Sequence, residues 1–239
     1  MPSLSAFSDK GSNALQNFEV ALKLRFAYLE KFIETNYFRY SLGSKYPAVD
    51  LVLAKGISGI ANSANNYTKI TASISDVMKI APLGSLSYKI YAGKIKGTLP
   101  YPFLEILPGN DIYYYNKSSF NLMSRFEYIC DQYAGINVEH SIGSGLFRFL
   151  GITRKLKWRQ FWNAKTLYGD LSVANKKLNN SPTPFFKDLD GKVYAEIGTG
   201  IDNIFKVFRV DFVWRVMPTP LPENRSSRFG IFGSFQFQF

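Results

Sequence analysis

Apolar and polar residues alternate along most of this chain with a period of two, the period of a strand with two unlike faces. In "NFEVALKLRFAY", Phe18, Val20, Leu22, Leu24, Phe26 and Tyr28 take one side, against Glu19, Lys23 and Arg25. "KYPAVDLVLAKG" sets Val49, Leu51 and Leu53 against Asp50; "NNYTKITASISD" sets Ile70, Ala72 and Ile74 against Lys69, Thr71, Ser73 and Ser75. "GSLSYKIYAGK" opposes Leu86, Tyr88 and Ile90 to Ser85, Ser87 and Lys89. After the Pro/Gly-rich "GTLPYPFLEILPGND", "SSFNLMSRFEYI" opposes Phe120, Leu122, Phe126 and Tyr128 to Asn121, Arg125 and Glu127. The pattern continues through "YAGINVEH", "LKWRQFWNAKTLYG", "KVYAEIGTG", "KVFRVDFVWRV" and the closing "RFGIFGSFQFQF". These segments predict about ten strands. Turn-rich connections such as "ANSANN", "APLG", "DLDG" and "GIDN" alternate between short and long, as in an up-and-down meander.

The polar faces bear on which solvent the sheet was made for. They carry Arg125, Glu127, Glu139, Arg159, Lys165, Glu196, Arg209, Asp211 and Arg215. In a β-sandwich those charges would face bulk water while the apolar faces packed together. In a membrane barrel they would form a lumenal charge network, and the apolar faces would meet lipid. Segments of about 11 residues are long for sandwich strands, and the last one runs to an aromatic terminus. Both features favour the barrel. Composition agrees: 21 Phe, 15 Tyr and 3 Trp suit strands and membrane–water interfaces. No apolar run reaches the roughly 18–20 residues of a membrane-spanning helix. The opening "MPSLSAFSDKGSNALQ" lacks the basic and apolar regions of a signal peptide.

A net charge of +11 and a pI of about 9.6 invite a nucleic-acid reading, but the basic residues are dispersed and form no dense basic helix. One cysteine, Cys130, permits no internal disulfide, and one histidine, His140, permits no histidine cluster for a metal. His140 and Glu139 are adjacent on a strand and point to opposite faces, so they do not form an acid–base pair by spacing. "GTGIDN" and "GISGIANS" precede no helix that would hold a phosphate. Arg209 and Asp211 share a strand face, where pairing is the expected role. The aromatic "LPYPFLEILPGNDIYYYN" could fold into a lumen, bind at the surface or line the headgroup level; the aromatic belt is the expected role, shared with Trp158, Trp162 and Trp214.

Five segments in order, "LGSKYPAVDLVLAKGISG", "AGKIKGTLPYPFLEILPGND", "SFNLMSRFEYICDQYAGINVEHSI", "RKLKWRQFWNAKTLYGDLS" and "YAEIGTGIDNIFKVFRVDFVWR", carry a resemblance that spans about Phe18 to Phe239. Together they resemble the C-terminal barrel of a family of bacterial outer-membrane proteins with an N-terminal carboxypeptidase-regulatory-like domain. The resemblance implies a bacterial outer-membrane location, and for this chain a C-terminal fragment of a longer precursor. The terminal strand resembles the signal read by the outer-membrane assembly machinery, with Phe235, Phe237 and Phe239 in the alternating positions.

The expectation is therefore an all-β, antiparallel, up-and-down transmembrane β-barrel, or the C-terminal part of a larger one. Residues 1–16 form an entry segment and 17–239 the barrel segment. The expected function is structural or transport in kind, without enzymatic activity or cofactor, with lipid bilayer and assembly machinery as partners and no nucleic acid. Two other classes are open: a barrel insertase or secretion pore of the outer-membrane assembly factor superfamily, and a soluble cationic β-sandwich that binds an acidic ligand or nucleic acid.

Overall fold

Nine strands lie side by side, in chain order, in one antiparallel sheet of the computed structural model, which describes residues 15–144, 147, 156–180 and 186–235. They are β1 (Glu19–Ala27), β4 (Ala48–Gly56), β5 (Tyr67–Lys79), β6 (Ser85–Lys96), β9 (Gln132–Gly143), β10 (Arg159–Asp170), β11 (Val193–Ile204), β12 (Phe208–Met217) and β13 (Phe229–Phe235). The other four strands form two small pairs, β2 (Lys31–Glu34) with β3 (Arg39–Gly43), and β7 (Glu105–Ile106) with β8 (Ile129–Cys130). A short helix, α1 (Val173–Leu178), lies in the connection from β10 to β11. No helix among the described residues is long and apolar enough to cross a membrane.

The up-and-down order follows from the alternation and from direct connections such as residues 80–84 and 205–207. Among the described residues β1 is paired only with β4, and β13 with β12 and, at Gly233 alone, with residues 113–115; no strand joins β1 to β13, so the sheet does not close into a barrel. It is nonetheless strongly curled. Arg209 on β12 reaches Glu139 on β9 at 2.7 Å, although β10 and β11 lie between them. On a flat sheet those strands would be roughly 14 Å apart, three spacings of about 4.8 Å.

Curling divides the residues of each strand into a concave and a convex set. Along β10, Phe161, Asn163, Lys165 and Leu167 are buried on the concave side, while Trp162 is 51% exposed on the other. Along β11, Tyr194 and Glu196 are buried and Ile197 is 47% exposed. On these strands and β12 the apolar convex side is open and the charged concave side is covered, the reverse of the soluble sandwich alternative; on β1 both faces are exposed. Close approach of strands on the concave side is helped by glycine. Tyr91 on β6 pairs with Gly135 on β9, and Gly93 with Tyr133, so each tyrosine ring lies where a glycine side chain would be.

What covers the concave face is the long connection from β6 to β9, residues 97–131. Here one expectation fails. "SSFNLMSRFEYI" is irregular apart from the first residue of β8, and its Phe120, Leu122 and Tyr128 are buried against β10, β11, β12 and β13 rather than facing outward. Phe126 takes a left-handed conformation, φ 61°, that interrupts any strand. The core therefore sits between sheet and connection. Leu107, Phe120, Met123, Tyr128 and Cys130 pack on Leu167, Leu189 and Tyr194; Leu99, Leu104 and Ile129 pack on Tyr67, Ile95 and Leu171.

Candidate functional site

The connection over residues 97–131 makes few ladder bonds of its own. Pro100, Pro102 and Pro108 remove amide donors, and its first turn is a single 3-10 turn over Tyr101–Phe103. Buried backbone groups need partners, and the curled wall supplies them. The Glu196 carboxylate accepts the backbone N–H groups of Asn121 and Leu122, each at 2.8 Å, and the Tyr194 hydroxyl at 2.8 Å. From the neighbouring strand, the Lys165 Nζ donates to the carbonyls of Asn116 and Ser119, both at 2.7 Å. One wall residue thus takes the connection's donors and the other its acceptors.

Charged residues along the wall extend this fastening. Arg209 donates through Nε and Nη2 to both oxygens of Asp211, at 2.9 and 2.8 Å, and through Nη2 to Glu139. Its guanidinium lies 3.6 Å from the Phe161 ring centre and 4.8 Å from that of Tyr115. Glu139 also receives Lys117 of the connection at 2.8 Å. Arg215 donates to the Tyr128 hydroxyl at 2.9 Å and lies 3.7 Å from Glu127. With Arg209 2% exposed, Asp211 0% and Glu196 1%, these groups hold together only as a paired set.

A second tie joins two connections at one end of the sheet. Asp131 accepts the Ser172 N–H at 2.9 Å and the Asn175 Nδ2 at 2.8 Å, and Asn175 in turn accepts the Leu99 N–H at 2.8 Å. Away from the spanning strands, burial pushes the Tyr115 hydroxyl and the Cys130 thiol well above their usual ranges. It also raises the Glu105 carboxyl, with Lys69 opposing.

Of the residues expected from sequence, Glu139, Lys165, Glu196, Arg209, Asp211 and Arg215 share the concave face. Arg159 is at the start of β10 and pairs with Asp202 at 2.8 Å. Glu127 lies on the covering connection rather than on a strand, and meets the network through Arg215. Arg125 is a correction: it sits in an exposed turn, its N–H donates to Asp111, and its side chain joins none of these ion pairs among the described residues. Phe235 is exposed near the end of β13, while Phe237 and Phe239 lie outside the described residues. Tyr101, Phe103 and Tyr115 are also corrected, since they pack inward with the connection instead of forming a belt; Tyr113 and Tyr114 are exposed. The sequence reading missed Asn116, Asn121, Asp131 and Asn175. The one hint was the dense Asn, Pro and aromatic content of the segment, which suits a structured loop.

Beside the fastened connection, between it, β5, β6, β9 and the connection that carries β2 and β3, the concave face forms an open-sided cavity of about 790 Å³. Among the described residues there is no cluster of three or more His, Cys, Asp or Glu that could hold a metal ion.

The protein is thus an all-β chain built on a curled meander with a charged inner wall and an inward-folded connection. It belongs to the family described as Family of unknown function (DUF5686) C-terminal domain, whose model matches residues 2–173. That match spans β1 to β10 and the whole inward-folded connection; the wall strands that carry Glu196, Arg209 and Arg215 follow it. No curated protein matches the chain.

Proposed function

We propose that this chain is the plugged wall of a β-barrel of the bacterial outer membrane, transport in kind and without enzymatic activity, in which residues 97–131 are the plug. The observation that carries the reading is the inversion of faces. Valine, isoleucine, phenylalanine and tryptophan side chains are exposed along the convex side from Val20 to Phe235, while the charged wall of β10, β11 and β12 is buried under the connection. In water such an apolar face is a liability; in hydrocarbon it is the stable arrangement. The free edge of β1, and that of β13 apart from Gly233, fit a segment completed by further strands of a longer precursor. In that precursor a carboxypeptidase-regulatory-like domain would precede the barrel.

Connections 57–66, 97–131, 171–192 and 218–228 leave one end of the sheet, and 28–47, 80–84, 144–158 and 205–207 leave the other, which holds the two shortest. Barrels of this class carry long loops outside the cell and short turns on the periplasmic side. The two shortest turns lie opposite the plug, which supports a plug that enters from the outer side, with Phe235 of β13 at the periplasmic end, where the assembly machinery would read Phe235, Phe237 and Phe239.

The test is extraction and gel mobility. The protein is expected to require detergent and to migrate faster unboiled than boiled. A monodisperse protein in plain buffer, with one mobility before and after boiling, would refute the reading and favour the soluble module.

A further inference from the structure

The convex face carries a row of lysines at the end of the sheet from which the plug leaves. Lys55 near the end of β4, and Lys94 and Lys96 near the end of β6, are exposed beside the buried Ala54 and Ile95. Ile95 packs in the core with Leu99, Leu104 and Ile129 of the plug, so the lysines on either side of it point outward. Thr68, at the start of β5, stands between the two groups. It is opposite Lys96 on one side and Lys55 on the other, and the Lys55 Nζ donates to its hydroxyl at 3.3 Å. Lys55 and Lys96 are thus two strand spacings apart, about 10 Å, and Lys94 is two residues from Lys96, about 6.6 Å. Flexible, compact ammonium groups at these spacings are able to converge on one anionic group.

The protein supplies that row with no counter-ion. Among the described residues none of the three lysines is in an ion pair. The connection 57–66, which leaves beside Lys55, has no charged residue, and neither has 97–104 beside Lys96. Glu19 faces inward and accepts the Tyr67 hydroxyl at 2.6 Å. Asp170, across Gln132 from Lys94, already accepts the Gln132 amide at 2.9 Å. Asp76 is eight residues along β5 from Thr68, roughly 26 Å away.

Next to the row on the same face, Leu53, Ile70 and Ile90 are exposed, with Ile70 directly opposite both Leu53 and Lys94. Unpaired cations at the rim of an apolar field match a molecule built the same way, with phosphate groups joined to acyl chains. The position suits such a partner, because a cation on the lipid face costs little near the interface and much at the midplane. Free phosphate would meet the same ammonium groups but leave the apolar field uncovered.

We infer that Lys55, Lys94 and Lys96 bind the phosphate groups of an anionic lipid on the outer rim of the barrel, with its acyl chains lying along Leu53, Ile70 and Ile90. The inference rests on the outer-membrane reading and adds a fixed lipid partner to it.

The experiment is native mass spectrometry of the folded chain in detergent, titrated with diphosphoryl lipid A, with the same lipid after removal of both phosphates, and with inorganic pyrophosphate. Saturable binding of the phosphorylated lipid is expected, with the other two probes about tenfold weaker or more. Lys55→Gln, Lys94→Gln and Lys96→Gln should each weaken it about fivefold, and the triple variant about 100-fold. Lys79→Gln, which removes the same charge at the other end of β5, should leave it unchanged. The inference is overturned if the triple variant binds like the parent, if the dephosphorylated lipid binds equally well, or if pyrophosphate binds as tightly as the lipid. Gel mobility of the same samples checks that each variant is folded and reports separately on the membrane reading. A heat-modifiable protein whose lipid binding ignores the triple substitution sinks the lysine site alone; a protein monodisperse without detergent sinks the reading beneath it.

Discussion

Removing the Glu196 side chain should release the plug without dismantling the wall. Glu196 is the acceptor for two backbone N–H groups of the plug and for the Tyr194 hydroxyl, all at 2.8 Å and all buried. Hydrogen bonds to charged groups contribute about 1.5–3 kcal/mol each. The two plug bonds together therefore set a range of about 3–6 kcal/mol for Glu196→Ala. A plug that swings out lets its amides bond to water, which limits the loss, so about 3 kcal/mol is the expected change in local opening. At about 1.4 kcal/mol per factor of ten, that is roughly 100-fold faster exchange of the Asn121 and Leu122 amides. Glu196→Gln keeps one acceptor oxygen but turns an NH₂ group toward a plug N–H, and should give a smaller increase. Lys89→Met, on the same concave face but outside the fastening, should change nothing there. Hydrogen exchange read on peptides covering residues 116–124 decides the matter. Protection within threefold of the parent in both Glu196 variants would refute the fastening.

Three further outcomes follow from the same geometry. Arg209→Ala strands Asp211 and Glu139 without their cation and should destabilise the folded chain by about 3–5 kcal/mol, read as a lower urea midpoint; Arg209→Lys should recover only part, because one ammonium does not span both carboxylates. Gly135→Ala places a methyl group where the Tyr91 ring lies, and should cost about 1–3 kcal/mol by the same assay. The Cys130 thiol, held neutral by burial, should resist maleimide at pH 8 while the protein is folded and react at once in denaturant; rapid labelling of the folded protein would contradict its place in the core.

Most of the wall was legible in the sequence because a strand with two unlike faces writes its alternation directly. Arg209, Asp211 and Arg215 on alternate positions could only share a face, and they do. The plug was not legible for a physical reason. Phe120, Leu122 and Tyr128 mimic a strand's spacing, yet they are apolar because they fill the concavity. Their amides find an acceptor on Glu196, some 75 positions away, and no local pattern reports such a partner. The β2–β3 pair was missed because Phe32, Ile33 and Tyr40 are exposed and short of a full alternating run.

Whether the convex face lies in hydrocarbon is tested most directly by tryptophan quenching. Trp162 on β10 and Trp214 on β12 both point outward. In vesicles made with lipids brominated along the acyl chains, variants that retain only one of these residues should be strongly quenched, and aqueous acrylamide should have little effect. Unquenched emission in those vesicles, with full access to acrylamide, would contradict the account.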